Sequence, residues 1–168
     1  VYFFGWILDP KLRYQLYVWT SNASLGSATQ VVVAGNVNYG FNSHLTVGGG
    51  IGSLPGVRSL EGNFPYWLMV DERQISDEFF RPFFNSGVWA SGEPVPGFWY
   101  NVMLGSTNSI LGVKSTQLDR SFTTGGSVWW MPTTKEFGPR GAYGDWEQHE
   151  KVATRFGVST TRSPEQPF

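Results

Sequence analysis

Apolar and polar residues alternate with a period of two along most of this chain, a pattern typical of β-strands that have one apolar and one polar face. In residues 30–41, one face carries Val31, Val33, Gly35, Val37, Tyr39 and Phe41, and the other carries Gln30, Val32, Ala34, Asn36, Asn38 and Gly40. The same alternation predicts strands in residues 11–20, 44–51, 98–104, 121–130 and 151–159, and residues 1–8 add a seventh candidate that is apolar on both sides. Most of these segments approach the length of a transmembrane strand, about 9–11 residues, rather than the ~5–6 of an average globular strand.

The predicted connections differ in length. Leu8–Lys11 and Asn42–Ser43 are tight turns, whereas Ser21–Thr29, Gly52–Gly97, 106–118 and Lys135–Gln148 are longer. Short turns at one end of a sheet and long loops at the other are the layout of outer-membrane barrels.

The composition of the two faces distinguishes a membrane barrel from a soluble sandwich or jelly roll, which also alternates. Only 15% of the residues are charged, against about 25% in an average protein, and the polar faces carry mainly Gly, Asn, Ser and Thr. Aromatic residues stand near the ends of the apolar faces, at Tyr39, Phe41, Phe98, Tyr100, Phe122 and Trp130. An apolar outer band edged by aromatic residues is what lipid-facing strands need. We therefore predict an antiparallel transmembrane β-barrel, with residues 1–168 as one partial barrel domain.

Several other classes of protein are excluded or made improbable. A net charge of −1 without a Lys/Arg run disfavours nucleic-acid binding. The absence of cysteine removes disulfides and thiolate chemistry, and no run of about 18 apolar residues predicts a transmembrane helix. Gly48–Gly50 lacks the Gly-Lys-Ser/Thr ending of a phosphate loop, and these glycines more plausibly let the wall bend or another segment approach closely. We predict no enzyme activity, no cofactor and no metal site.

Residues 53–96 are too long for an ordinary hairpin loop and are rich in aromatic residues, so we predict a constriction loop folded into the lumen. Charges of both signs across a narrowed lumen select solutes by charge and size. The pool for this constriction is Arg58, Glu61, Asp71, Glu72, Arg73, Asp77, Glu78 and Arg81, and the predicted basic residues of the pore wall are Lys11, Arg13, Lys151 and Arg155. The alternative is that these acids and bases pair with each other and hold the loop.

Two other constellations stay open. Two carboxylates among Asp71, Glu72, Asp77 and Glu78 are compatible with glycoside hydrolysis if they stand about 5–10 Å apart, and Trp-rich β proteins often bind sugars. Asp145, Glu147, His149 and Glu150 could bind a cation through carboxylates, but the sequence favours a solvated external loop over this cation site.

Several runs resemble the bacterial outer-membrane porins related to the phosphate-selective porin family. They are Gly52–Pro65, Asp77–Pro82, Gly97–Met103, Val128–Thr134, Glu136–Gly144 and Val152–Gly157, and the resemblance spans roughly residues 45–163. It implies an antiparallel barrel of about 16–18 strands when complete, often a homotrimer, with an inward-folded constriction loop. Because the chain shows no dense ladder of arginines, phosphate selectivity is not carried over.

The sequence as a whole predicts an outer-membrane porin, a passive water-filled channel for small polar or ionic solutes with a lean toward anions. Its expected surroundings are outer-membrane lipid and lipopolysaccharide. Seven strands do not close a barrel of channel width, so we expect the chain to be a fragment whose missing strands lie outside it. The alternatives are a soluble carbohydrate-binding or glycan-cleaving β-sandwich, and a barrel that serves mainly as a structural element.

Overall fold

Eight β-strands make up the described part of the protein. The computed structural model describes residues 1–21, 30–56, 84–106, 121–135 and 148–162. The strands are β1 (Tyr2–Ile7), β2 (Asp9–Ser21), β3 (Gln30–Asn42), β4 (Leu45–Ser53), β5 (Phe84–Val95), β6 (Phe98–Ser106), β7 (Phe122–Trp130) and β8 (Phe156–Arg162). In these ranges no helix has the length and apolar character needed to cross a membrane.

All eight strands belong to one antiparallel sheet, and each strand pairs with its neighbour in sequence, in the order β1 to β8. The longest pairing, between β2 and β3, runs from Leu12 opposite Tyr39 to Ser21 opposite Gln30. The all-β, antiparallel prediction is thereby confirmed. Among the described residues β1 and β8 each pair on one side only, so these eight strands form an open sheet.

From β2 to β8, the register places apolar residues opposite apolar residues at many positions, whereas β1 places Phe4 opposite Gln15 and Trp6 opposite Arg13. Val33 lies opposite Val18, and Val88 lies opposite Leu104. Because successive side chains of a strand point to opposite sides, the apolar positions join into one surface, here called the apolar face. The opposite surface, which includes Asn36 and Asn38, is here called the polar face.

Three tight turns lie at the same end of the sheet, here called the turn end. The first passes through Leu8, which has a φ of 63°. In the second, the Oδ1 of Asn42 accepts hydrogen bonds from the backbone N–H groups of His44 and Leu45, at 2.9 and 3.0 Å. An Asn side chain that bonds the backbone in this way stabilises a turn locally. The tight turn predicted at Asn42–Ser43 is therefore confirmed, whereas only Leu8 of the turn predicted at Leu8–Lys11 lies between strands, because β2 begins at Asp9.

The third turn, between β5 and β6, contains Gly97 with a φ of 83°, a backbone conformation that favours glycine. The N–H of Gly97 donates to the Oε1 of Glu93 at 2.6 Å. The connection from β7 to β8, residues 131–155, starts at this end too. Its first residue packs beside the third turn, because the N–H of Met131 donates to the carbonyl of Gly97 at 2.7 Å. The alternation of short and long connections thus ends at β7.

The predicted constriction loop, residues 53–96, contains a β-strand. Residues 84–95 form β5, which pairs with β4 on one side and β6 on the other, so the loop boundary 53–96 is wrong and the count of seven strands becomes eight. The sequence does not predict β5 because Trp89 interrupts the alternation of apolar and polar residues and because the segment contains Pro94. The proline is accommodated at a register irregularity between Gly92 and Val95, the kind of position where strands accept proline. The last strand also begins later than predicted, at Phe156.

Candidate functional site: the two faces of the sheet

The apolar face is open to its surroundings. Leu16, Val33, Val102 and Phe156 would be buried if the protein were a compact sandwich, but their exposed fractions are 36, 60, 46 and 60%. The other exposed aliphatic residues of this face are Val31, Val37, Val47, Val88, Val95, Leu104, Val128 and Val158. All described strands lie in a single sheet, so none of them forms a second layer over this face.

Aromatic side chains form a row along the turn end of the apolar face. The rings of Tyr39 and Phe41 are 4.8 Å apart, and those of Trp130 and Phe156 are 6.3 Å apart. Between these pairs the hydroxyl of Tyr100 donates to the carbonyl of His44 at 2.9 Å. The expected clustering of aromatic residues near strand ends is therefore present at this end of the sheet.

Side-chain amides form a hydrogen-bonded ladder on the polar face. The Nδ2 of Asn38 donates to the Oδ1 of Asn36 at 2.9 Å. The Nδ2 of Asn36 donates to the carbonyl of Ile51 at 3.1 Å and lies 3.4 Å from the Oε1 of Gln15. These neutral groups cross three strands, and their mutual hydrogen bonds hold the side chains in defined positions.

Trp89 extends this ladder to β5. Its Nε1–H donates to the Oδ1 of Asn38 at 2.8 Å. The indole lies over the glycines of β4, because a Cβ atom placed on Gly48 would collide with the Nε1 and Cε2 of the ring, and one placed on Gly52 would lie 3.3 Å from its Cζ3. The predicted close approach of another segment to the Gly48–Gly50 run is confirmed.

The ladder and the indole line a concavity of about 290 Å³ in the polar face. Its lining residues are Gln15, Tyr17, Asn36, Asn38, Ile51, Gly52, Trp89, Asn101 and Met103. None of these is charged. The Oδ1 of Asn101 is buried and has no hydrogen-bond partner among the described residues. Buried polar atoms are nearly always paired, so an unpaired acceptor in a concavity is a sign of a missing partner.

Basic residues gather toward the turn end of the polar face. Arg13 lies opposite Asn38, and its Nε donates to the carbonyl of Pro10 at 3.3 Å. The guanidinium of Arg155 lies 4.5 Å from the ring centroid of Trp129, which stacks on Trp99 at 6.2 Å. Lys11 and Lys151, the other predicted wall residues, are exposed. Lys11, Arg13 and Arg155 are thus placed at or near one end of the sheet rather than along its length.

The chain that leaves β4 folds over the polar face. Leu54 and Pro55 are almost completely buried, and a Cβ atom on Gly125 of β7 would lie 3.1 and 3.0 Å from the two side chains. The chain thus leaves β4 and at once contacts a strand three positions away in the sheet. This is the direction in which an inward-folded loop has to start.

The predicted constriction residues fall outside the part of the chain that the structure describes. They are Arg58, Glu61, Asp71, Glu72, Arg73, Asp77, Glu78 and Arg81. The hypothesis of a glycosidase carboxylate pair rests on four of the same residues. In the cation hypothesis, Asp145 and Glu147 also lie outside, whereas His149 and Glu150 are described. Within the described ranges no three His, Asp or Glu side chains cluster as metal ligands would.

Comparison with protein-family models, with curated proteins and with solved structures found no match to this chain. The resemblance to porins therefore remains a prediction from the sequence.

The concavity was not singled out by the sequence analysis, although most of its polar residues stood on the predicted polar faces. Gln15, Asn36, Asn38 and Asn101 follow the alternation. Trp89 had been assigned to the long connection, so nothing placed it beside Asn38. The signal that was present is a spacing of two between asparagines on a strand whose other face is apolar.

Proposed function

We propose that this sheet is part of the wall of a transmembrane β-barrel, and that the protein is an outer-membrane porin that lets small polar solutes cross passively. The observation that carries the proposal is the exposed apolar face opposite a hydrogen-bonded, mostly uncharged polar face. In this arrangement the apolar face contacts lipid and the polar face lines water.

The cost of leaving the apolar face in water supports this orientation. Full burial of a Val or Leu side chain stabilises a protein by roughly 1.5–3 kcal/mol. Each half-exposed residue of the face therefore lacks about 1 kcal/mol of this stabilisation. Summed over the aliphatic residues of the face, this reaches roughly 10 kcal/mol, comparable with the entire stability of a typical domain, about 5–15 kcal/mol. Bilayer hydrocarbon removes the cost without a second protein layer.

Closure of the sheet is part of the proposal. Lipid offers no hydrogen bonds to the backbone, so a spanning sheet must pair both of its edges. Strands beyond the eight described here complete the barrel. The aromatic row then lies at one membrane interface, where such side chains favour the boundary between lipid and water.

The chemistry of the polar face suits a channel without catalysis. Neutral amides replace part of the hydration of a passing solute, and the basic residues near the turn end favour anions at that mouth. The chain entering from β4 across β7 starts the loop that narrows the lumen. No cofactor takes part in this function, and the trimer and the contacts with lipopolysaccharide stay predictions.

Reconstitution of the purified protein into planar lipid bilayers tests the proposal. We expect stepwise increases in ionic conductance, and we expect Lys11→Gln combined with Arg13→Gln to shift the reversal potential in a salt gradient toward cation preference. Arg162→Gln is the matched control, because Arg162 lies opposite Thr124 on the apolar face at the other end of the sheet. A protein that stays monomeric in water without detergent and never produces conductance would overturn the proposal.

A further inference from the structure

We propose that the concavity on the polar face is a binding subsite for an uncharged, hydroxyl-rich solute, namely a saccharide. The inference rests on the proposed function and deepens it, since it names the class of solute that this channel recognises. It concerns the middle of the polar face, where Arg13 lies opposite Asn38 but does not belong to the lining.

The lining excludes ionic solutes as the preferred ligand. Every described residue that lines the concavity is neutral, and a charged ligand loses hydration there without gaining a counter-charge from this lining. Hydroxyl groups fit better, because each donates and accepts, as do the amides of Gln15, Asn36 and Asn38. The hydrogen bonds among these amides hold the donors and acceptors in place before a solute arrives.

Trp89 supplies a flat apolar platform beside these amides. One face of its indole covers the backbone of Gly48 and Gly52, and the ring also lines the concavity. Its N–H is already bonded to Asn38, which fixes the orientation of the ring. A sugar ring presents C–H groups on its faces and hydroxyls around its edge, so it matches an aromatic surface bordered by amides.

Asn101 supplies the acceptor that lacks a partner. Its Oδ1 is buried at the lining without a hydrogen bond from the described residues. A hydroxyl of the solute donates to this oxygen and satisfies it, which a carboxylate or phosphate oxygen cannot do. The volume of about 290 Å³ equals roughly ten water molecules at about 30 Å³ each, enough for one sugar ring with accompanying water.

The test uses glucose and maltose as probes and gluconate as the charged comparison. In planar bilayers, we expect the neutral sugars to reduce the ionic current in a saturable manner and gluconate to do so far more weakly. Trp89→Leu and Asn101→Leu should each raise the half-saturating maltose concentration about tenfold or more. Trp89→Phe, which keeps a ring over β4, should retain more of the affinity. Trp6→Leu, which removes an indole outside the concavity, should leave the affinity unchanged.

A second readout separates this inference from the proposed function. Tryptophan fluorescence of the detergent-solubilised protein, titrated with maltose, reports binding whether or not the protein conducts. Conductance without saturable binding of either sugar overturns the subsite and leaves the porin intact. Binding that is lost in Trp89→Leu, in a protein without conductance, supports the subsite and rejects the pore. Equal affinity for glucose and gluconate would also refute the saccharide subsite.

Discussion

Replacing Val102 with arginine measures what the apolar face contacts. Val102 is the central residue of β6 (Phe98–Ser106) and is 46% exposed on that face. It lies four residue steps from each end of the strand, which is about 14 Å at ~3.4 Å per residue. With a strand tilt of about 35–45°, this becomes about 10–11 Å along the membrane normal, close to the midplane of an apolar band about 25 Å tall.

The arginine substitution changes the folding free energy by different amounts in lipid and in water. In lipid, an outward arginine at this depth costs about 2–4 kcal/mol of folding free energy, which lowers the ratio of folded to unfolded protein roughly 30- to 900-fold. On a water-exposed surface, the same substitution changes stability by about 0.5 kcal/mol or less. Val95→Arg is the matched control, because Val95 is 57% exposed at the turn end of β5, where the cost in a membrane is about 0–1 kcal/mol.

The assay is equilibrium unfolding by urea of the protein folded into phospholipid vesicles, followed by tryptophan fluorescence. We expect the Val102→Arg variant to lose at least about 1 kcal/mol more than the Val95→Arg variant. If both variants lose the same small amount, the centre of the apolar face does not lie in hydrocarbon, and the argument from exposed valines is refuted.

Three further substitutions test the packing of the sheet. Gly48→Val should cost about 2–4 kcal/mol in urea unfolding because its side chain displaces the indole of β5, whereas Gly49→Ala meets its nearest atoms at 3.7 Å and should be tolerated. Gly125→Val should displace the chain that leaves β4 and alter single-channel conductance. Gly126→Ala should not, because a Cβ atom there lies 3.7 Å from its nearest neighbour. Equal conductance in both variants would count against a loop that folds over the polar face. Asn42→Ala should cost about 1 kcal/mol by removing two turn hydrogen bonds, and an unchanged unfolding midpoint would contradict that role.

The alternation predicted most of the sheet because it is a local property. In β3 and β6, the sequence placed each side chain on one of two faces, and the register then joined these faces across the sheet. β5 escaped prediction because, between Phe84 and Pro94, its face opposite Trp89 carries only small residues besides Val88. The strand forms because β4 and β6 each pair with it along their length. Pairing between distant segments produces no periodic pattern in the sequence of the strand itself.

The sequence by itself determined that the strands have one apolar and one hydrophilic side, since the alternation of neighbouring residues is sufficient to place side chains on two faces. Only the tertiary structure decided which side chains of the hydrophilic side lie next to one another. The hydrogen bond between Trp89 and Asn38 joins residues 51 positions apart, and the concavity forms where five strands bring distant amides together. Strand pairing sets those distances, and no short stretch of sequence encodes them.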